Sequence, residues 1–153
     1  MRSSRPATKV TNIEMPFVVD ASIAVCWLLP DERSPSADAA WRRLPGDTAL
    51  APGIWWYELR NVLIVNERRG QLDAVRTAQA LRLIRGLRVS IDFDSPEETL
   101  IALARRHRLA IYDSAYLELA LRHGCPLATL DGELAAAANA EGVQLISTDE
   151  PGE

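Results

Sequence analysis

The sequence contains only one lysine, two histidines and two cysteines in 153 residues, and these shortages exclude several kinds of site. The cysteines, Cys26 and Cys125, have apolar neighbours and lack both the C-x-x-C and the Cys/His spacing of a zinc site. We interpret them as reduced core thiols of a cytosolic protein. A disulfide between them is the alternative that the sequence leaves open.

Long apolar runs are also missing. No stretch approaches the ~20 apolar residues that a membrane-spanning helix needs, and the N-terminal residues lack the apolar core of a secretory signal. We therefore expect a cytoplasmic protein with no membrane segment and a polar, disordered tail over residues 1–15. Met15 stands directly before the first apolar segment, so the start is either Met1 or Met15.

The formal net charge of −4 argues against a general nucleic-acid binder, since such proteins are usually basic. Nearly all of the positive charge is arginine, which suits phosphate contacts but is also frequent in GC-rich genomes. The length and the 48% hydrophobic content suit one domain with a substantial core. We expect that domain over residues 16–147, followed by a polar tail over 148–153.

Short β-branched or apolar runs alternate with amphipathic segments along the chain. The pattern predicts helices over 21–29, 35–44, 52–69, 72–84, 95–107, 113–122 and 133–140, and strands over 17–19, 48–51, 89–91, 127–130 and 143–146. Ser34 and Ser95 are predicted N-caps because a proline follows each of them at a helix start. This alternation predicts an α/β sandwich around a mostly parallel sheet.

Four acidic residues lie near the ends of predicted strands or at helix starts. Asp20 and Asp131 directly follow the first and fourth strands, Glu58 lies in the helix after the second strand, and Asp113 opens a helix. The carboxyl ends of parallel strands meet at one sheet edge, so we expect the four side chains to converge there. Clustered carboxylates repel one another, and an all-oxygen cluster with room for water favours Mg²⁺ or Mn²⁺.

Each acid taken singly also has a simpler explanation. Asp20, Asp113 and Asp131 lie at predicted helix starts, where aspartate is a favoured cap or first-turn residue. Glu58 alone is typical of a solvated helix position. It follows three aromatic residues and precedes Leu59, however, and a charge in so apolar a segment needs a reason.

Five segments carry a resemblance to the PIN-domain nucleases, most closely to the VapC-type toxins. They occur in the family's order: FVVDASIAVCWLLPDE (17–32), WYELRNVL (56–63), IYDSAYLELALRHG (111–124), PLATLDGEL (126–134) and VQLI (143–146). The resemblance implies a PIN-like three-layer α/β/α sandwich and a Mg²⁺- or Mn²⁺-dependent endoribonuclease. It also implies the toxin of a type II toxin–antitoxin pair, with RNA as substrate, a cognate antitoxin as partner, and a toxin homodimer.

By this resemblance, the four acids are the catalytic and metal-binding residues. Asp20 and Asp113 would hold the main ion directly, and Asp131 would bind it directly or through water. Glu58 would complete the shell or bind a second ion.

Three further residues match positions that the family uses to orient these acids: Ser22, Asn61 and Thr129. Asn61 lies three residues after Glu58, on the same helix face. For Ser22 and Thr129, hydrogen bonds to the local backbone are an equally good explanation. Arg60 is close to Glu58 in sequence and either contacts phosphate or lies on a solvated face.

Other functions fit parts of this pattern. A haloacid-dehalogenase-like phosphohydrolase needs a second aspartate two residues after its nucleophile, where this chain has Ser22. A receiver-like signalling domain needs a lysine after a late strand, and the only lysine is Lys9. A non-catalytic binding module on a PIN scaffold is the third alternative, and the intact acidic quartet argues against it.

The predicted helices between 52 and 84 carry more large apolar side chains than one small sheet face needs. They include Trp55, Trp56, Leu59, Val62, Leu63, Leu81 and Ile84. Large exposed apolar patches mark interfaces. We therefore expect a homodimer, and an antitoxin that covers part of these helices. His107 and His123, in the last turns of their helices, are interpreted as dipole-compatible residues without a catalytic role.

Overall fold

A computed structural model describes residues 15–147 of the chain. Within these residues the strands are β1 (Phe17–Val19), β2 (Ala49–Pro52), β3 (Val89–Asp92) and β4 (Leu127–Ala128). The helices are α1 (Ala21–Leu28), α2 (Pro35–Arg43), α3 (Ile54–Arg68), α4 (Ala74–Gly86), α5 (Glu97–His107), α6 (Ile111–His123) and α7 (Gly132–Ala140), with a 3-10 turn at Pro30–Glu32. Residues 1–14 and 148–153 lie outside the described residues, so the disordered N-terminal tail, the polar C-terminal tail and the division into tails and one domain stay predictions.

The four strands form one parallel sheet in the order β3-β2-β1-β4. β1 is central, since Val18 pairs with Leu50 on one side and with Leu127 on the other. Every residue of β1 is fully buried, because helices cover both faces of the sheet. The end of β1 therefore delivers Asp20 to the middle of the carboxyl edge.

Helices α1 to α4 pack on one another on one face of the sheet, and α5 to α7 pack together on the other. The predicted three-layer α/β/α sandwich is therefore confirmed. Helix α6 is buried on most sides because it also contacts β1 and β2. Its position explains the continuous run of buried residues from Tyr116 to Ala120.

Several predicted boundaries are wrong. Segment 143–146 is not a strand: a single bridge joins Leu127 to Leu145, because β4 has only two residues to pair with. Helix α6 begins at Ile111, so Asp113 lies in its first turn and does not open it. One cap prediction is confirmed, because the Ser34 side chain accepts a hydrogen bond from the Ala37 backbone N–H at the start of α2.

Ser95 does not cap α5. That helix begins at Glu97, and Pro96 takes the N-cap position without a side-chain hydrogen bond. Because proline has no backbone N–H and a fixed φ near −65°, it is tolerated at the very start of a helix. Here Pro96 is the N-cap, and the helix begins one residue later than the sequence pattern predicts.

The prediction that the apolar side chains between residues 52 and 84 form an interface surface is partly wrong. Four of its members belong to the core, with exposed fractions of 6% or less: Trp55, Leu59, Leu63 and Ile84. The large apolar side chains that α3 exposes are Trp56, Tyr57 and Ile64. Both cysteines are free thiols, as predicted. No helix in the described part of the chain is long and apolar enough to cross a membrane.

A candidate acidic active site

Asp20 is a buried carboxylate at the centre of the sheet's carboxyl edge, with 7% of its surface exposed. Its Oδ2 accepts hydrogen bonds from Ser22 Oγ at 2.9 Å and from Thr129 Oγ1 at 2.5 Å. Burial raises the pKa of Asp20, and these two hydroxyls oppose that rise. Asp20 occupies the N-cap position of α1 but makes no side-chain cap hydrogen bond. The backbone N–H groups of Ala21 and Ser22 help to lower its pKa, after the two hydroxyls.

The two hydroxyls that hold Asp20 also fix the loop after β4. Ser22 Oγ accepts from the Leu130 N–H at 2.9 Å, and Thr129 Oγ1 accepts from the Asp131 N–H at 3.0 Å. Each hydroxyl therefore donates to Asp20 and accepts from the chain that leads to Asp131. For Ser22 the accepted bond is not local, because its donor lies 108 residues away.

Asp131 is the N-cap of α7. Its Oδ1 accepts from the backbone N–H groups of Glu133 at 2.9 Å and Leu134 at 3.1 Å. Oδ2 has no hydrogen-bond partner within residues 15–147 and stays open for another ligand. The capping explanation thus accounts for one oxygen of Asp131 and leaves the other unused.

Asp113 is partly buried in the first turn of α6 and has no side-chain hydrogen bond within the described residues. Its pKa is raised first by burial and then by the negative charges of Asp131, Asp20 and Glu133. Nothing opposes these effects. Asp113 is therefore the least compensated acid of the four.

Glu58 lies in the second turn of α3, and its Oε1 accepts a hydrogen bond of 2.5 Å from the Tyr116 hydroxyl. Burial raises the pKa of Glu58, the Tyr116 bond lowers it, and the charges of Asp20 and Asp113 raise it again. The sequence analysis missed Tyr116. Its position three residues after Asp113, on the same helix face, was the available signal.

The acids are therefore neighbours: the charges of Asp20 and Asp113 raise the pKa of Glu58, and the charges of Asp131 and Asp20 raise the pKa of Asp113. Within residues 15–147 none of them forms an ion pair with an arginine or a histidine. Buried or half-buried carboxylates without a cation are costly for a fold. This uncompensated negative charge, together with a donor set made only of oxygen, fits a hard divalent cation.

The acids are not arranged as a complete ligand cage. Among the described residues, no three His, Cys, Asp or Glu side chains are placed so that they could hold one ion. Mg²⁺ usually takes one or two protein carboxylates and keeps several of its waters. The site therefore fits such an ion in chemistry and charge, whereas three direct ligands would require side chains to move inward.

Other residues considered from sequence lie outside this cluster. Asn61 is exposed and has no hydrogen bond to any of the acids in the described region. Arg60 stacks on Trp56, with its guanidinium carbon 4.0 Å from the ring centre. His107 contacts Glu141 at 2.6 Å, and His123 lies 3.6 Å from Asp92, so both histidines have carboxylate partners elsewhere.

Comparison with known families gives a match to the PIN domain over residues 17–140. A curated relative, Ribonuclease VapC3 of Pyrobaculum aerophilum, is 34% identical over 124 residues. The aligned region covers 79% of this chain and 93% of that protein.

Solved structures show the same fold at lower identity. PAE2754 of Pyrobaculum aerophilum has a TM-score of 0.66 and 22% identity, with 88% of this chain and 92% of that one covered. A toxin–antitoxin complex from Klebsiella pneumoniae has a TM-score of 0.56 and 21% identity, with coverages of 87% and 98%. FitAcB of Neisseria gonorrhoeae has a TM-score of 0.57 and 19% identity, with coverages of 86% and 97%.

Proposed function

This chain belongs to the PIN-domain family, and from that premise we propose that it is a metal-dependent endoribonuclease of the VapC type. The observation that carries the proposal is the group of four acids at one sheet edge, which have no cationic partner in the described residues. Within this group, burial and neighbouring acids raise the pKa of Glu58 and of Asp113. The name of the 34% identical relative, a ribonuclease, supports RNA as the substrate.

The chain's own residues have distinct roles in this proposal. Asp20 and Asp113 bind the ion directly, Asp131 binds it directly or through water, and Glu58 completes the shell or serves a second ion. A bound Mg²⁺ or Mn²⁺ would supply a water of lowered pKa and would neutralise phosphate charge. Ser22 and Thr129 keep the Asp20 carboxylate aimed into the site.

We propose water as the nucleophile. A bound divalent ion would lower the pKa of a water, and that water would need no ribose 2′-hydroxyl to attack the phosphate. The site also offers no pair of histidines for the other route, since both histidines of the described chain are paired with carboxylates outside the acidic cluster. Water is then the attacking group, and the products carry a 5′-phosphate and a 3′-hydroxyl. End-group analysis of the cleaved RNA tests this prediction, and 2′,3′-cyclic phosphate ends would contradict it.

The proposed activity has a direct test. We expect the purified protein to cleave RNA with Mn²⁺ or Mg²⁺, to stop when EDTA is added, and to lose at least a hundredfold in rate as Asp113→Asn. Asp38→Asn, a change at an acid paired with Arg33 on the surface, should cleave like the wild type. A wild-type protein that binds RNA without cleaving it would instead be a non-catalytic module on a PIN scaffold.

We also propose that the protein is a toxin held by a cognate antitoxin, that it is a homodimer, and that it acts in the cytoplasm. The Klebsiella pneumoniae complex of the same fold supports the partner. On α3, Trp56 and Ile64 are exposed apolar side chains that could take part in either contact. A short upstream reading frame whose product co-purifies with this chain would support the pairing, and a monomeric mass at micromolar concentration would contradict the dimer.

A further inference from the structure

We propose that Tyr116 is a positioning residue for Glu58, which holds this carboxylate in the acidic cluster without neutralising its charge. The inference rests on the function proposed above, in which Glu58 is one of the four acids. It starts from the 2.5 Å hydrogen bond between the Tyr116 hydroxyl and Glu58 Oε1, which joins α6 to α3 across 58 residues of sequence.

The position of the Tyr116 hydroxyl is fixed by the core. The residue is completely buried, and its helix packs against both β1 and β2. Asp113 lies one turn earlier on the same helix face. A single helix therefore supplies one acid of the cluster and the group that holds a second.

Glu58 has no other hydrogen-bond partner among the described residues. A glutamate has three rotatable side-chain bonds, and fixing them costs conformational entropy that a partner must offset. The Tyr116 hydroxyl is the only contact of this kind in the described region that sets the direction of the Glu58 carboxylate. Without it, Glu58 would be free to turn away from the like charges of Asp20 and Asp113.

The chemistry of the donor matters as much as its position. A phenol has one O–H to donate, and Glu58 uses it, so Tyr116 acts through Glu58 and has no proton to offer the substrate. An arginine at this place would hold Glu58 more strongly but would cancel its charge. Asp20 is held in the same manner by the hydroxyls of Ser22 and Thr129. Neutral donors thus orient both carboxylates and leave their negative charge for a cation.

The test uses Tyr116→Phe in the full chain, which removes the hydroxyl and keeps the ring. Loss of a group that orients a metal ligand typically weakens metal affinity or activity by roughly 10- to 100-fold. We expect Mn²⁺ affinity, measured from the electron paramagnetic resonance of free Mn²⁺, to fall about tenfold. The kcat for RNA cleavage should fall by a similar factor, with the KM for RNA within about twofold of wild type.

Two matched controls remove a hydroxyl from exposed tyrosines beside the acids. Tyr57 precedes Glu58 and is 65% exposed, and Tyr112 precedes Asp113 and is 55% exposed. Tyr57→Phe and Tyr112→Phe should both bind Mn²⁺ and cleave RNA as the wild type does. A loss in either control equal to that of Tyr116→Phe would overturn the assignment to Tyr116.

A double-mutant cycle separates positioning from packing. If Tyr116 acts through Glu58, adding Tyr116→Phe to Glu58→Gln should cost less than twofold further in Mn²⁺ affinity. Should Tyr116→Phe fail to fold, Glu58→Asp shortens the acid and breaks the same bond without altering the core, and it should weaken Mn²⁺ about tenfold. Unchanged Mn²⁺ affinity in the folded variants, or a further tenfold loss in the double variant, overturns the proposal.

Failure of the proposed function would give a different result. A wild-type protein that binds Mn²⁺ but cleaves no RNA overturns the ribonuclease activity, while the Mn²⁺ titrations still decide whether Tyr116 positions Glu58. A wild-type protein that binds no Mn²⁺ overturns the positioning role together with the cation site.

Discussion

Asp20 shows how a few polar side chains make a buried charge tolerable. Its carboxylate lies at the end of a fully buried strand, where burial raises its pKa. Two hydroxyl donors lower that pKa, and each of them also accepts a backbone N–H from the loop after β4. Removing one of these donors takes away one of the two hydroxyl hydrogen bonds to Asp20 Oδ2 and leaves a backbone N–H of that loop without its partner.

The first residue-scale prediction is therefore that Thr129→Val destabilises the protein. Valine keeps the shape of threonine but cannot donate to Asp20 or accept from the Asp131 N–H. Buried unsatisfied groups cost about 1–3 kcal/mol, so the free energy of unfolding in urea should fall by about 2 kcal/mol. Thr99→Val, at an exposed position in α5, should change it by no more than about 0.5 kcal/mol. Equal values for the two variants would contradict the contacts assigned to Thr129.

The second residue-scale prediction concerns pH in the absence of metal. Burial, with the charges of Asp131, Asp20 and Glu133, raises the pKa of folded Asp113 above its unfolded value of about 4. Asp113 then favours folding below that unfolded pKa, and this contribution is lost as pH rises through the raised folded pKa. Asparagine does not titrate, so Asp113→Asn should melt above the wild type at pH 7 in EDTA, and the gap should close towards pH 4.

Thermal melts of both proteins across this pH range check the prediction. The control is Asp38→Asn, at an acid that pairs with Arg33 on the surface. Glu118→Gln would be unsuitable, because it would break the ion pair between Glu118 and Arg122. A difference between Asp113→Asn and wild type that stays constant with pH would show that Asp113 is not perturbed by its neighbours.

At the scale of single elements, the start of α7 combines a structural and a chemical task in one residue. Asp131 Oδ1 caps the helix, while Oδ2 has no hydrogen-bond partner in the region described. We predict that Asp131→Ala lowers the free energy of unfolding by about 1 kcal/mol, the usual cost of a lost cap. Asp131→Asn keeps a cap oxygen and should unfold like the wild type in EDTA, yet it should cleave RNA more slowly. Equal cleavage by Asp131→Asn and wild type would make Asp131 a cap alone.

Elements with strong local signals were predictable from sequence, and long-range contacts were not. The buried run of β1 and the Ser34-Pro35 start of α2 are dictated by neighbouring residues. Segment 143–146 has an apolar pattern, but its pairing depends on the two residues of β4. The periodicity of apolar residues in a segment does not indicate how many residues of a neighbouring strand are available to pair with it.

The residues of the site also divide into those that the sequence could predict and those that it could not. The topology of a parallel sheet brings together the acids that follow its strands, so Asp20 and Asp131 were accessible to sequence reasoning. The bond between Tyr116 and Glu58 depends on how α3 and α6 pack on opposite faces of one strand pair. The spacing of three residues from Asp113 places Tyr116 on the helix face that carries this acid, but it does not show that the Tyr116 hydroxyl meets Glu58. Which of the apolar residues between 52 and 84 are buried, as Trp55 and Leu59 are, depends on the same packing.

At the scale of the whole molecule, folding and ion binding are linked through the acidic cluster. A ligand that binds only the folded state stabilises it, by about 2.7 kcal/mol at 100 times its Kd. For a chain of this size each kcal/mol raises the Tm by about 2–4 °C. We therefore predict that saturating Mn²⁺ raises the Tm of the wild-type protein by about 5–10 °C relative to EDTA.

The variants decide whether that rise comes from the cluster. Asp20→Asn and Asp113→Asn each remove a proposed ligand and one negative charge, so Mn²⁺ should shift their Tm by less than about 2 °C. Asp38→Asn removes the same charge from a surface position paired with Arg33, and it should keep the full wild-type shift. If the acids were only helix caps and solvated residues, Mn²⁺ would leave all four proteins unchanged. A shift of the same size in all four would instead indicate an ion bound elsewhere. Only a shift that wild type and Asp38→Asn share, and that both site variants lose, agrees with an ion held by Asp20 and Asp113.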